Sequence, residues 1–121
     1  MRFFHLTTTQ AWDEAQRTGA YRPESLAREG FVHLSEERQW RATAARFFRG
    51  KTDLVLLVID GARLSAEVRH EAADGDSFPH LFGALEVEAV VEALAISVGD
   101  DGSVVEPRCV VDDAVAASRP R

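Results

Sequence analysis

One uninterrupted apolar run constrains the fold of this chain more than any other feature. The run Leu54–Ile59 contains only leucine, valine and isoleucine and lies between Asp53 and Asp60. A strand with one solvated face alternates apolar and polar residues, whereas a strand buried on both faces is apolar throughout. The run therefore predicts a central strand, and the rest of the chain has to cover it on each side.

Strands alternate with helices before this run, and strands and turns dominate after it. The expected elements, in chain order, are a strand at Phe3–Leu6, a helix capped within Thr7–Thr9 and ended by Gly19, a polar connection over Tyr21–Glu29, a strand at Phe31–Leu34, a helix at about 36–48 capped by Ser35, the central strand, and then strands at Glu67–Glu71, around His80 and at Val90–Val98 with a hairpin arm at Val104–Val105. Pro79 lacks a backbone donor, so it should start the His80 strand or place it at an edge. Because both helices fall in the N-terminal half, the pattern indicates an α+β fold rather than alternating α/β.

Length, charge and cysteine content narrow the possible functions. A chain of 121 residues predicts one domain, which we expect to span residues 1–98, with a partly disordered C-terminal extension over 99–121. A net charge of -6 argues against a nucleic-acid partner. The single Cys109 excludes an intrachain disulfide and a thiolate zinc site, and fits a reducing cytoplasm. The N-terminus lacks the apolar core of a signal peptide, and no run is long enough to span a membrane.

Three of the four histidines stand inside short apolar runs. His5, His33 and His80 are each followed by leucine in strand-like segments, and they are preceded by Phe4, Val32 and the pair Phe78-Pro79, respectively. Imidazole changes protonation near neutral pH and also binds metals. One such histidine is ordinarily a core residue with a satisfied hydrogen bond, but three in the same setting suggest a shared pocket. The fourth, His70, should face away from Glu71 in a regular strand and is the odd one out.

Residues near the first two histidines have two interpretations each. Thr7 and its neighbours could receive a phosphate or carboxylate at a helix N-terminus, or could only cap the helix. His33 and Ser35 are two apart and share a strand face, so they could form a nucleophile pair or a ligand clamp, or Ser35 could be a plain N-cap. The chain has no Gly-x-Ser-x-Gly elbow, no Walker loop and no Gly-x-Gly-x-x-Gly.

The third histidine has a candidate acid near it in the pattern. Glu67, Arg69 and Glu71 share one face of a predicted strand and could be a surface ion-pair ladder, or Glu71 could join the histidines. Three histidines and a glutamate also describe a metal site, but no His-x-His or His-x-x-x-His spacing signals one. We therefore expect no metal, and a metal-dependent hydrolase remains a minor alternative.

Seven runs together resemble a small bacterial family of domains of unknown function. The runs are Phe4–Thr8, Tyr21–Leu26, Glu29–Ser35, Phe47–Gly50, Asp53–Leu57, Glu67–Glu71 and Phe78–Leu85. That family is grouped by fold with the ADP-ribosyltransferases, including the RNA 2′-phosphotransferases that use NAD. The resemblance implies split antiparallel sheets with a nucleotide cleft and two helices in the N-terminal half.

The resemblance also implies roles for individual residues. His5 with Thr7 is similar to the His-x-Thr that grips the adenosine-side ribose of NAD, and His33 stands where the related enzymes stack a ring on nicotinamide. His80 stands near the place of their catalytic glutamate, with Glu71 as a possible substitute. Tyr21, Ser25 and Arg69 are second-rank candidates for nucleotide binding, and Ser35 is a candidate because it shares a strand face with His33.

The sequence thus predicts an enzyme, or an enzyme-derived binder, for NAD or a related ADP-ribose nucleotide. The alternatives are a non-catalytic module that binds a small anion and a metal-dependent hydrolase. We expect a small-molecule nucleotide as the partner, with no membrane contact.

Overall fold

The apolar run forms the inner strand of the main sheet. The computed structural model describes residues 1–109. Its elements are β1 (Arg2–Thr8), α1 (Thr9–Thr18), β2 (Ala20–Tyr21), α2 (Glu24–Glu29), β3 (Val32–His33), α3 (Trp40–Phe47), β4 (Leu54–Asp60), β5 (Val68–Ala73), β6 (Asp76–Leu81), β7 (Leu85–Glu86), β8 (Val90–Val98) and β9 (Val104–Cys109), with 3₁₀ turns at Gly61–Arg63 and Val87–Ala89. The main sheet has the order β1-β4-β8-β9, and its described neighbours pair antiparallel.

Strand β4 is buried on both faces, as its composition predicts. Val55, Leu57 and Ile59 point into one apolar cluster that includes Trp12 of α1. The alternate residues of β4 point into a second cluster with Trp40 of α3. The α+β class is therefore confirmed, and α1 and α3 supply cover on opposite faces.

A smaller sheet is attached to the β1 edge of the main sheet. Its order is β3-β6-β5, and β2 pairs separately with β7. Phe4 and Ser35 exchange two backbone hydrogen bonds, Phe4 N to Ser35 O at 2.8 Å and Ser35 N to Phe4 O at 2.7 Å. This bridge brings the histidine of β1 close to those of β3 and β6.

The prediction of two helices was wrong, because the polar connection contains a third. Helix α2 follows Pro23 and ends at Gly30, which adopts a left-handed φ of 88° and donates its N–H to Leu26 O. None of its residues is buried. A six-residue helix without a buried face leaves no apolar periodicity for a sequence pattern to detect.

Ser35 was also wrongly predicted to cap the second long helix. Its backbone N–H and C=O are both used in the bridge to Phe4, and α3 begins only at Trp40 after Gln39. The Gln39 side-chain oxygen accepts from Glu36 N at 2.9 Å and closes the intervening turn. The tertiary bridge thus overrides the local capping signal.

Pro79 lies within a central strand, contrary to prediction. Strand β6 is flanked by β3 and β5. The Pro79 carbonyl accepts from Leu34 N at 3.0 Å, and Leu34 already lies beyond the two-residue strand β3. The backbone N–H that Pro79 lacks would therefore lie where the ladder with β3 ends, so its absence costs little stability there.

The predicted hairpin arm after β8 is confirmed. Val104 pairs with Val98, and the arm continues as β9. The partial disorder expected toward the end of the chain concerns residues outside the described part. No helix within residues 1–109 is long and apolar enough to cross a bilayer.

Candidate functional site

A cavity of about 590 Å³ opens between the small sheet, the β1 edge and helix α3. It is lined by His5, Leu6, Glu29, Phe31, His33, Leu34, Ser35, Thr43, Phe47, Phe48, Ala73, Asp74, Phe78 and His80. Four phenylalanine rings form much of its wall, and the polar groups are concentrated on the strands. Small-molecule sites are typically concave, mostly apolar, and equipped with a few convergent polar groups.

Three histidines from three strands face this cavity. His33 and His80 are directly opposite each other in the β3–β6 ladder, and their ring centroids are 5.3 Å apart. His5 comes from β1, and its Nδ1 lies 2.6 Å from the backbone oxygen of His33. His70 lies elsewhere, beside Phe3, where it lines a second cavity of about 290 Å³.

His5 is held at both ring nitrogens. Its Nε2 lies 2.8 Å from the Tyr21 hydroxyl, and that hydroxyl lies 3.0 Å from Thr7 Oγ1. The carbonyl of His33 can only accept, so Nδ1 of His5 carries the proton and donates to it. Nε2 of the neutral ring then accepts from the Tyr21 O–H, and the Tyr21 oxygen accepts from Thr7. The three side chains therefore form one chain of hydrogen bonds with a fixed direction.

Burial keeps the His5 ring neutral. Loss of solvation lowers its pKa from 6.5 to about 4; the bond to the His33 carbonyl opposes this, and the charge of His33 adds to it. Burial likewise raises the pKa of the Tyr21 hydroxyl, against the hydrogen bond from Thr7. At neutral pH this hydrogen-bonded chain is uncharged, and both nitrogens of His5 are occupied within the protein.

His80 is buried and pairs with Glu71, whose side chain is partly exposed. Its Nδ1 donates to Glu71 Oε1 at 2.7 Å, and its ring stacks on Phe31 with centroids 4.0 Å apart and planes 12° from parallel. The residue is only 6% exposed. Within residues 1–105, whose side chains the structure describes, its Nε2 has no hydrogen-bond partner, yet no side-chain nitrogen or oxygen is both fully buried and unpaired. That nitrogen is consequently accessible from the cavity.

His33 forms a similar pair with Glu29 at the rim. Its Nε2 lies 2.9 Å from Glu29 Oε1, and its ring meets the Phe31 ring edge-on with centroids 4.8 Å apart. The hydrogen bond from His33 is the main reason that the pKa of Glu29 lies below its usual value. Phe31 therefore separates two histidine–carboxylate pairs, one with a buried histidine and one with an exposed histidine.

The structure gathers most, but not all, of the residues proposed from the sequence. His5, His33, Ser35 and His80 line the cavity. The others in this group, Glu71, Tyr21 and Thr7, lie behind them, joined through hydrogen bonds.

Two proposed residues lie away from the cavity wall. Ser25 donates to the Phe31 carbonyl at 3.0 Å, so it supports the backbone of that residue. Arg69 does not line the cavity; it bonds to Glu67 at 3.0 Å and lies over the Phe82 ring.

Glu29 and Phe31 were missed as site residues. Glu29 lies at the end of α2, which the sequence pattern did not predict, although its four-residue spacing from His33 was a visible signal. Phe31 was taken only as a strand residue. Among the side chains that the structure describes, those of residues 1–105, no group of three or more His, Cys, Asp or Glu is arranged to hold a metal ion.

Comparison with protein families gives a match over residues 6–93 to a family described as "Protein of unknown function (DUF952)". The chain belongs to the DUF952 family. This confirms the predicted resemblance to a small domain of unknown function, whereas the relation to ADP-ribosyltransferases stays a prediction.

Solved structures similar to this DUF952 chain come from Caulobacter crescentus. The crystal structure of protein CC0527 is 30% identical, covers 96% of this chain and 99% of its own, and has a TM-score of 0.77. The solution NMR structure of CC0527 is also 30% identical, covers 96% and 97%, and has a TM-score of 0.72. None of the curated proteins compared matches the chain.

Proposed function

We propose that this DUF952 chain is an enzyme, or an enzyme-derived binder, that holds NAD or a related ADP-ribose nucleotide in the histidine cavity. The observation that carries the proposal is the convergence of His5, His33 and His80 on one cavity walled by phenylalanine rings. Two antiparallel sheets that meet at the Phe4–Ser35 bridge are compatible with the split sheets that the resemblance to ADP-ribosyltransferases implies.

The cavity has the size and the groups that such a ligand needs. Its volume of about 590 Å³ lies in the range of small-molecule sites. Aromatic walls suit a flat heterocyclic base, and carboxylates suit ribose hydroxyls, which donate hydrogen bonds to them. In the proposal, His33 and Phe31 contact the base, while Glu29 accepts from a ribose hydroxyl.

The hydrogen bonds assign different tasks to the histidines. Both nitrogens of His5 are engaged, so in the proposal His5 positions the His33 backbone instead of gripping the ribose itself. In a catalytic version of the site, the His80 ring faces the reacting carbon and Glu71 lies behind it. The Glu71 carboxylate holds the ring in place through Nδ1 and supplies negative charge that stabilises positive charge developing in front of the ring.

The test is ligand binding followed by turnover. NAD and ADP-ribose at millimolar concentration should raise the melting temperature, because a ligand present at a hundred times its Kd adds about 2.7 kcal/mol to the free energy of unfolding. His80→Gln should reduce this shift, and the matched variant His70→Gln, in the other cavity, should leave it unchanged.

The outcomes separate the two versions of the proposal. Release of nicotinamide from NAD by the purified chain identifies an enzyme. Saturable binding without release identifies a binder. If neither nucleotide binds at millimolar concentration, the proposal is refuted.

A further inference from the structure

The charges around the histidine cavity are unusual for a nucleotide site. Among the described residues, neither lysine nor arginine lines it. Phosphate groups are ordinarily held by Arg or Lys side chains or by helix N-termini. The cavity interior therefore offers a pyrophosphate no cationic side chain.

Carboxylates surround this cavity instead. Glu29 and Asp74 line it, and Glu71 lies behind His80. Among the described residues, Asp74 is the one of these three that forms an ion pair with an arginine, Arg46 at 3.2 Å, and both side chains of that pair are more than half exposed. Arg28 and Arg69 act on Glu29 and Glu71 through longer-range Coulomb attraction. His5 is neutral at pH 7 because burial lowers its pKa to about 4. His5 therefore supplies no positive charge that would offset these carboxylates.

The phenylalanine rings add to the attraction for cations. The faces of an aromatic ring carry partial negative charge and attract positively charged groups. Phe47, which is 59% exposed at the cavity mouth, already has the Arg46 guanidinium 4.9 Å from its ring centroid.

An unpartnered polar atom on a buried side chain marks where a ligand would be recognised. His80 is 6% exposed, and its Nε2 is free of hydrogen bonds to the described residues. Imidazole can donate or accept at this atom, so it suits a polar substituent on a ring inserted beside Phe31.

We infer that the cavity selects a flat heteroaromatic cation and leaves phosphate groups at its mouth. This inference rests on the proposed function. In oxidised NAD, the pyridinium ring is then the end that enters the cavity, and the ADP part is the end that stays exposed. The cation lies against phenylalanine faces and near Glu29 and Asp74, and a substituent reaches Nε2 of His80.

Three ligands of nearly equal shape test the inference directly. 1-Methylnicotinamide is a cation, nicotinamide is neutral and nicotinate is an anion. Chemical-shift titration of the full chain should give a Kd about tenfold lower for the cation than for the neutral ring, and weakest binding for the anion. Equal affinity of cation and neutral ring, or a preference for nicotinate, would overturn the inference.

Nucleotides separate this inference from the proposed function. NAD should bind about tenfold more tightly than its reduced form, whose nicotinamide ring is uncharged, and more tightly than ADP-ribose, which lacks the ring. Equal binding of all three would overturn the inference and leave the proposed function standing. Cation selectivity without any nucleotide binding would refute the proposed function alone.

Substitution of the carboxylates should reduce the selectivity. Glu29→Gln keeps an oxygen for His33, and Asp74→Asn suits the positive φ of 52° at that position. Each should reduce the ratio of cation to neutral affinity by a factor of about two to three. Glu24→Gln, on the same helix as Glu29 but outside the cavity, is the matched control. An unchanged ratio in both variants would overturn the inference.

Discussion

The hydrogen-bonded chain behind the cavity makes a sharp prediction for Tyr21→Phe. The substitution removes one oxygen and keeps the ring, which is 7% exposed. It leaves Nε2 of His5 without a donor and Thr7 Oγ1 without its acceptor. The local packing is otherwise unchanged, so the effect reports the hydrogen bonds alone.

The expected loss follows from the burial of these atoms. Thr7 is 7% exposed, as is Tyr21, so water has poor access to the orphaned groups. A buried polar group left without a partner costs about 1–3 kcal/mol. With two such groups and some relaxation toward the cavity, Tyr21→Phe should lower the free energy of unfolding by about 2–3 kcal/mol.

Urea denaturation measures this loss, and Thr7→Val serves as the comparison. Thr7→Val removes the donor at the end of the chain, while Tyr21 still donates to His5, so it should cost only about 1 kcal/mol. The double variant should cost less than the sum, because the two residues share one bond. A loss below about 0.5 kcal/mol for Tyr21→Phe, or a larger loss for Thr7→Val, would refute the deduced direction of the hydrogen bonds.

Three further predictions concern charge and coupling. The pKa of His5 is 6.5 in the unfolded chain and about 4 in the folded chain, so between these pH values the unfolded chain binds one more proton. The free energy of unfolding should therefore decrease by on the order of 3 kcal/mol as the pH falls from 6.5 to 4. Urea titrations of His5→Gln should show a smaller decrease over the same pH range. Glu71→Gln and His80→Gln should weaken NAD binding by similar factors, with little further loss in the double variant, because the two side chains act as one pair; additive losses in calorimetry would contradict the pairing. Arg69→Ala should leave NAD affinity and the urea midpoint unchanged, since its ion pair with Glu67 is exposed; a loss of binding would place Arg69 in the site.

The central strand illustrates what the sequence predicts well. Six consecutive apolar residues at Leu54–Ile59 require cover on both faces, and α1 and α3 supply it. Such a pattern predicts the structure well because burial of large apolar side chains is the dominant favourable contribution to folding. The alternation of Glu67–Glu71 and the helix stop at Gly19 were predicted for similarly local reasons.

Long-range pairing explains what the sequence could not predict. Ser35 is a good local N-cap, but its backbone bonds to Phe4, which is 31 positions away and invisible to a local pattern. Pro79 is tolerated in a central strand only because β3 ends opposite it. The pairing of Glu29 with His33 depends on α2, a helix with no buried face. Elements that owe their existence to tertiary contacts carry weak sequence signals.

The four histidine rings offer the most direct test of the account. Their ring C–H signals can be assigned with His→Gln variants and followed by NMR during titration with NAD. The account predicts saturable shifts of His33 and His80, a smaller shift of His5 through the His33 carbonyl, and no shift of His70, which lies in the other cavity. Unchanged signals for His33 and His80 at millimolar NAD, or a shift confined to His70, would contradict it.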